Sequence, residues 1–330
     1  MRLAAGGAVA LGLGGCAAFP ALDLEEAAPP GPRSVALDTP FHPQTDYQCG
    51  PAALAGVLGA TGVEVSPGAL APQVYLPERQ GSLQVELLAA TRRAGRVAYR
   101  LGQDPSELLA ELAGGRPVLV LQNLGTRAFP TWHYAVLTGY DLAANELVLD
   151  SGVTDALRTP AGRFLRTWDW AGRWAMVALR PGELPARPDP ARYAEAAAAF
   201  ERSGEAAAVH AAWAAAAAHW PGDPRPPLAL GNLAYAAGDR EGALALYAAG
   251  HAASPGDPAL ANNLAAVLGE LGCAATGHAL LSGVSATIEA GSPWRTVVDG
   301  TLHELASLGA DTARHCAARV RGQDGDTGAP

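Results

Sequence analysis

The stretch Gln44-Thr-Asp-Tyr-Gln-Cys49-Gly-Pro-Ala-Ala-Leu-Ala55 decides how this chain reads. Gly50-Pro51 followed by an Ala/Leu run places Cys49 at the start of a helix. Proline in the first turn loses nothing by lacking an N–H there. The free N–H groups and the dipole at such an end stabilise a thiolate. A nearby imidazole would lower the thiol pKa further and make it a nucleophile at neutral pH. Cys49 is the one cysteine between residues 17 and 272, so it has no local disulfide partner. Two histidines, His42 and His133, lie in the same half of the chain, and any Cys–His chemistry must use one of them.

His133 sits in the apolar strand-like run Trp-His133-Tyr-Ala-Val-Leu. After a short turn, 141–145, comes Glu-Leu-Val-Leu-Asp150-Ser-Gly. A hairpin centred near Asp141-Leu142 sets His133 opposite Asp150 to within a residue or two. Opposed residues in a hairpin share a face. Asp150 is then placed to accept from His133 and fix its tautomer.

Around these residues, 36–182 mixes periods. Helical patterns fall at 51–58, 83–93 and 105–112. Strand patterns fall at 97–101, 117–122, 133–140, 146–150 and 174–179. Helices first and a strand meander later give an α+β domain. Residues 183–190, rich in Pro and Arg, read as a linker. Beyond it, 190–320 is Ala-rich and helical. His219-Trp-Pro-Gly-Asp-Pro224 is echoed 34 residues on by Ala253-Ser-Pro-Gly-Asp-Pro258, and Trp213, Tyr247 and Leu281 keep the same interval. That is the period of the tetratricopeptide repeat. Leu230-Gly231, Ala243, Tyr247 and Pro255 fit its pattern, so this half is expected as an all-α superhelix of three hairpins, with capping helices at 294–308 and 311–320. Cys273 and Cys316 could pair in an oxidising compartment or stay free thiols, which the sequence leaves open, and 321–330 reads as a disordered tail.

Gln44, Cys-Gly-Pro-Ala opening a helix, His133 on a strand and Asp150 after a hairpin together resemble the papain-like cysteine peptidases. The resemblance is strongest to the bacteriocin-processing, double-glycine leader peptidase group, and it covers about residues 38–180. It implies a papain-like α+β fold, Cys49 as nucleophile, His133 as general base and then acid, and Asp150 as the orienting residue. Gln44 resembles the oxyanion-hole donor, aided by the Cys49 N–H, with Gln48 as the fallback. Peptidases of that group are usually fused to an export transporter, and this chain carries a repeat domain instead. The whole layout resembles bacterial lipoprotein cysteine peptidases with C-terminal tetratricopeptide repeats.

The chain opens with Arg2, an apolar run and Leu13-Gly-Gly-Cys16. The run is too short to span a membrane and has the shape of a signal peptide. Its end resembles a lipobox, which implies that 1–16 is a signal and that Cys16 carries the lipid. By resemblance to lipoprotein sorting in two-membrane bacteria, Ala17 after the cysteine implies the outer membrane, facing the periplasm, over the inner one. Residues 17–35, rich in Pro and acidic residues, read as a flexible tether.

Composition excludes several classes. All 23 basic residues are Arg, so Lys-dependent phosphate loops, kinases and Schiff-base enzymes are ruled out. A net charge of −9 argues against nucleic acid as a partner. The histidines of the second half lack ligand spacing, so neither metal nor cofactor is expected. The expected function is a membrane-anchored thiol peptidase whose repeats recruit a protein or peptide. The rivals are a non-catalytic peptide-binding scaffold in an envelope complex and an acyl-transfer enzyme of the cell wall.

Overall fold

The computed structural model describes residues 22–44 and 48–320. The first half contains α1 (Leu24–Ala27), β1 (Ser34–Ala36), α2 (Cys49–Ala60), α3 (Pro67–Val74), β2 (Tyr75–Leu76), β3 (Gly81–Ser82), α4 (Gln84–Arg93), β4 (Val97–Arg100), α5 (Pro105–Ala113), β5 (Val118–Asn123), β6 (Trp132–Asp141), β7 (Glu146–Ser151), β8 (Thr154–Pro160), α6 (Ala161–Asp169) and β9 (Ala175–Leu179). One antiparallel sheet runs in the order β4-β9-β5-β6-β7-β8, with β1 added to β6 beyond the end of β5.

Strand alternation divides the core into two layers. Leu119, Leu121, Tyr134, Val136 and Met176 face α2, α3 and α4, meeting Leu54, Leu58, Leu70 and Leu87. Val118, Val120, Ala135, Leu137 and Val177 face the other way, onto Leu108 and Leu112 of α5 and Phe164 and Trp168 of α6. Because both faces are covered, β5 is buried along its whole length, which is why Val118-Leu-Val-Leu reads as a continuous apolar run.

The second half is largely helical: α7 (Pro190–Glu201), α8 (Ala206–His219), α9 (Arg225–Ala236), α10 (Arg240–Ala253), α11 (Pro258–Glu270), α12 (Ala274–Ser285), α13 (Trp294–Leu308) and α14 (Cys316–Arg319). Side chains of Asp189, Asp239 and Asp257 cap α7, α10 and α11. Gly231 lets α9 and α10 approach: a Cβ there would meet the Tyr247 ring at 2.3 Å. Cys273 and Cys316 form a disulfide, tying the start of α12 to α14. α13 covers its expected range, whereas only a single turn, α14, forms where a second cap at 311–320 was expected.

The two halves share a core. Tyr193, Phe200 and Trp213 of α7 and α8 join the cluster that contains Val177 and Leu179 of β9. The 183–190 connection is pinned: Ala186 N–H donates to Glu111 Oε1 at 2.7 Å, and Asp189 N–H donates to the Tyr99 hydroxyl at 3.2 Å.

The expected tether is corrected from Leu22 onward; its first part, the signal segment, Cys16 and the tail all lie outside the described residues. Leu24 is fully buried in the core. Asn145 clamps the segment, its Oδ1 accepting from Leu24 N–H at 3.0 Å and its Nδ2 donating to Leu22 O at 2.9 Å. The Tyr140 hydroxyl donates to Pro32 O at 2.9 Å, and β1 then joins the sheet. One buried leucine and a three-residue strand are too little to produce a periodic pattern, so composition dominated the reading. Leu24→Ala should cost about 2–4 kcal/mol of stability, read as a lower denaturation midpoint. A midpoint equal to wild type would restore the loose tether.

Candidate active site

Cys49 begins α2, and the Gln48 side chain before it does not cap the helix, so the first-turn N–H groups are left to what lies in front of them. The thiol is half-buried, and among the described residues it is the free cysteine. α2 packs on β6 and β3. Gly50 makes the β3 contact possible, since a Cβ there would come within 2.4 Å of Ser82 Oγ. The Tyr134 hydroxyl donates to Ser82 O at 3.2 Å, tying β3 to β6 beside the cysteine. Burial, with the thiol nearby, pushes the Tyr134 hydroxyl pKa far up, so it stays protonated.

A cleft of about 930 Å³ opens in front of the helix end. Gln44, Cys49 and His133 all line it, together with Ser82, Trp132 and Tyr134. Gln44 is held there through its main chain, its N–H donating to Gly152 O at 3.0 Å. Gln48 flanks Cys49 at the helix cap and does not line the cleft. Trp132 also lines the cleft and is exposed; its sequence signal is its place before His133 in Trp-His-Tyr-Ala-Val. Trp168 and Trp174 are packing residues: Trp168 Nε1 donates to Trp174 O at 3.0 Å, and Trp174 sits edge-on to Tyr134. Among the described residues no group of three or more His, Cys, Asp or Glu is placed to hold a metal ion.

The structure does not bring Asp150 to His133. Asp150 is the register partner of Val136, three residues along β6 from His133. The closing pair of the hairpin is Asp141 with Glu146, so the hairpin is centred beyond Asp141-Leu142, where the spacing puts it. A bulge between Leu137 and Gly139 takes back only part of that shift. β6 pairs with β5 without interruption from Trp132 to Leu137, so alternation sends positions 133 and 136 to opposite faces. Asp150 Oδ1 instead accepts from Ala156 N–H at 3.2 Å.

The His133 ring meets Ser151 instead, with Nε2 2.9 Å from Ser151 Oγ. Burial lowers the imidazole pKa, so the ring is neutral at neutral pH. Ser151 had one available signal: it follows Asp150 directly and therefore takes the opposite face of β7.

Burial, reinforced by Asp155, pushes the Asp150 carboxyl up to about 6. The folded state therefore holds this proton more tightly than the unfolded chain does. The resulting stability is complete below about pH 4 and is lost as pH rises through about 6. Asp150→Asn keeps an acceptor for Ala156 N–H without the buried charge. At pH 7.5 it should be more stable than wild type by on the order of 2 kcal/mol, and the gain should vanish by pH 4. A variant less stable than wild type at pH 7.5 refutes this.

Comparisons with known proteins bear on the first half of the chain. Three solved structures are similar. A double-glycine-motif protease from an AMS/PCAT transporter, in complex with the leader peptide, is 21% identical with a TM-score of 0.36, covering 44% of this chain and 93% of that one. A C39-like peptidase from Bacillus anthracis is 19% identical with a TM-score of 0.37, covering 44% of this chain and 98% of that one. The peptidase domain of Streptococcus ComA, a bifunctional ABC transporter in a quorum-sensing pathway, is 20% identical with a TM-score of 0.33, covering 44% of this chain and 97% of that one. No curated protein matches. Residues 36–176, which carry the sheet, the cleft, Cys49 and His133, match the model of the Peptidase C39 like family.

Proposed function

We propose that this chain is a cysteine peptidase. The observation that carries the reading is that one cleft, inside the segment matching the peptidase family, is lined by a helix-start cysteine, a histidine and a glutamine. In this reading His133 takes the Cys49 thiol proton, and the sulfur attacks a peptide carbonyl carbon. The Cys49 N–H and the Gln44 side chain stabilise the oxyanion. Collapse breaks the C–N bond as His133 returns the proton to the leaving amine, leaving a thioester. His133 then deprotonates water, which attacks the thioester, and the acid product and free thiol follow. The substrate is an extended polypeptide segment laid along the cleft.

The remaining parts of the reading are supported separately. The 34-residue interval and the Gly231–Tyr247 contact support tetratricopeptide repeats in the helical half, which would recruit a protein or peptide partner. Leu13-Gly-Gly-Cys16 supports lipid attachment at Cys16, in the outer membrane and facing the periplasm. A Cys273–Cys316 disulfide suits that oxidising compartment.

Two experiments test this. In the oxidised chain beginning at Ala17, Cys49 is the thiol open to alkylation. Iodoacetamide at about pH 7, well below the free-thiol pKa of about 8.5, should modify it at least about tenfold faster than in His133→Ala, and Cys49→Ala should hydrolyse no denatured-protein substrate. Equal alkylation rates, or hydrolysis surviving in Cys49→Ala, end the peptidase reading and favour a peptide-binding scaffold. In the full-length protein, labelled palmitate should be incorporated, and Cys16→Ser should abolish it; label persisting in the variant refutes the anchor.

A further inference from the structure

We propose that Ser151 is the positioning residue for His133, through a hydrogen bond to Nε2 that sets the tautomer needed at Cys49. The assignment rests on the cysteine-peptidase reading. A general base must present an unprotonated nitrogen to the thiol, so its other nitrogen carries the hydrogen. Nε2 is 2.9 Å from Ser151 Oγ; in this assignment Nε2 carries the hydrogen and donates it to the hydroxyl, which leaves Nδ1 as the nitrogen for the thiol. When the thiol proton moves, the S–H electron pair forms the new C–S bond. Nδ1 takes the proton, and Nε2–H keeps its bond to Ser151 throughout.

Two further observations favour Ser151 over the neighbouring carboxylate. Asp150 is committed elsewhere, to Ala156 N–H and to Asp155, and lies three register positions from the ring. Ser151 also ends β7, and the next residue, Gly152, accepts the Gln44 N–H at 3.0 Å. Two consecutive residues thus hold both the base and the oxyanion donor, the side chain of one and the carbonyl of the other. The residue that seats Gln44 directly follows the one that aims the imidazole.

A hydroxyl is a neutral acceptor. It fixes the tautomer and ring plane, but it gives the imidazolium less stabilisation than a carboxylate would. The buried ring, already biased to its neutral form, is therefore a base that takes the thiol proton during attack, with no standing thiolate–imidazolium pair required.

The test compares iodoacetamide alkylation of Cys49 across pH in wild type, Ser151→Ala, Ser151→Thr and His133→Ala, using the oxidised chain beginning at Ala17. Ser151→Ala should alkylate about tenfold more slowly near pH 7, with its profile moved toward higher pH, and Ser151→Thr should recover most of the rate. Ser151→Ala at the wild-type rate and profile, or a loss that threonine leaves unrescued, overturns the assignment. Should Ser151→Ala not fold, ¹⁵N spectra of wild-type histidines decide, with His133 assigned by its absence in His133→Ala. The Nε2–H tautomer is expected at neutral pH, and an Nδ1–H tautomer overturns the proposal. If His133→Ala alkylates like wild type, the peptidase reading itself has failed, which a change confined to Ser151 does not imply.

Discussion

The register of β6 is the constraint from which the rest follows. This strand pairs with β5 and β1 along one edge and with β7 along the other, and both of its faces are buried. A slip of one residue would exchange Tyr134 and Val136 for Ala135 and Leu137 between two different cores, so the pairing has no close competitor. His133 is near the start of β6, paired with Gln122 of β5 and beyond the last pair with β7. Its position is inherited from burial farther along the strand, and no local feature near the ring has to supply it.

The same logic explains what could and could not be read from residue order. Cys49 at a helix start, the apolar strand of His133 and the buried run at 118–121 follow from local rules: proline in a first turn, alternation, continuous apolarity. Those rules act within a few residues, and the structure agrees with them. The partner of His133 depends on a turn and a bulge that lie between it and β7. The turn at 141–145 is legible in its Asp and Asn, but the pair that closes it is not, and the bulge between Leu137 and Gly139 shifts the register again. A shift of a few residues was enough to exchange a carboxylate for the hydroxyl beside it. The N-terminal segment failed to show for another reason. Its one deep anchor, Leu24, is surrounded by residues typical of unstructured chain, and the clamp that seats it comes from Asn145, more than a hundred residues away.

Between the halves, packing replaces what composition suggested. The stretch rich in proline and arginine before α7 reads as a linker, yet Glu111 reaches it from α5 with a nearly inaccessible carboxylate. Arg192 of α7 pairs with Glu107 of α5 at 2.8 Å. With Tyr193 and Phe200 in the core of the sheet, the first helical pair is part of the α+β unit. Only the later helices, α10 to α14, form cores of their own.

The Asn145 clamp also gives the molecule a direction. Leu22 and Leu24 are held at the β6–β7 turn, whereas the cleft lies at the other end of β6, roughly 30 Å away for a ten-residue strand. Leu22 therefore lies at one pole of the molecule and the cleft at the other.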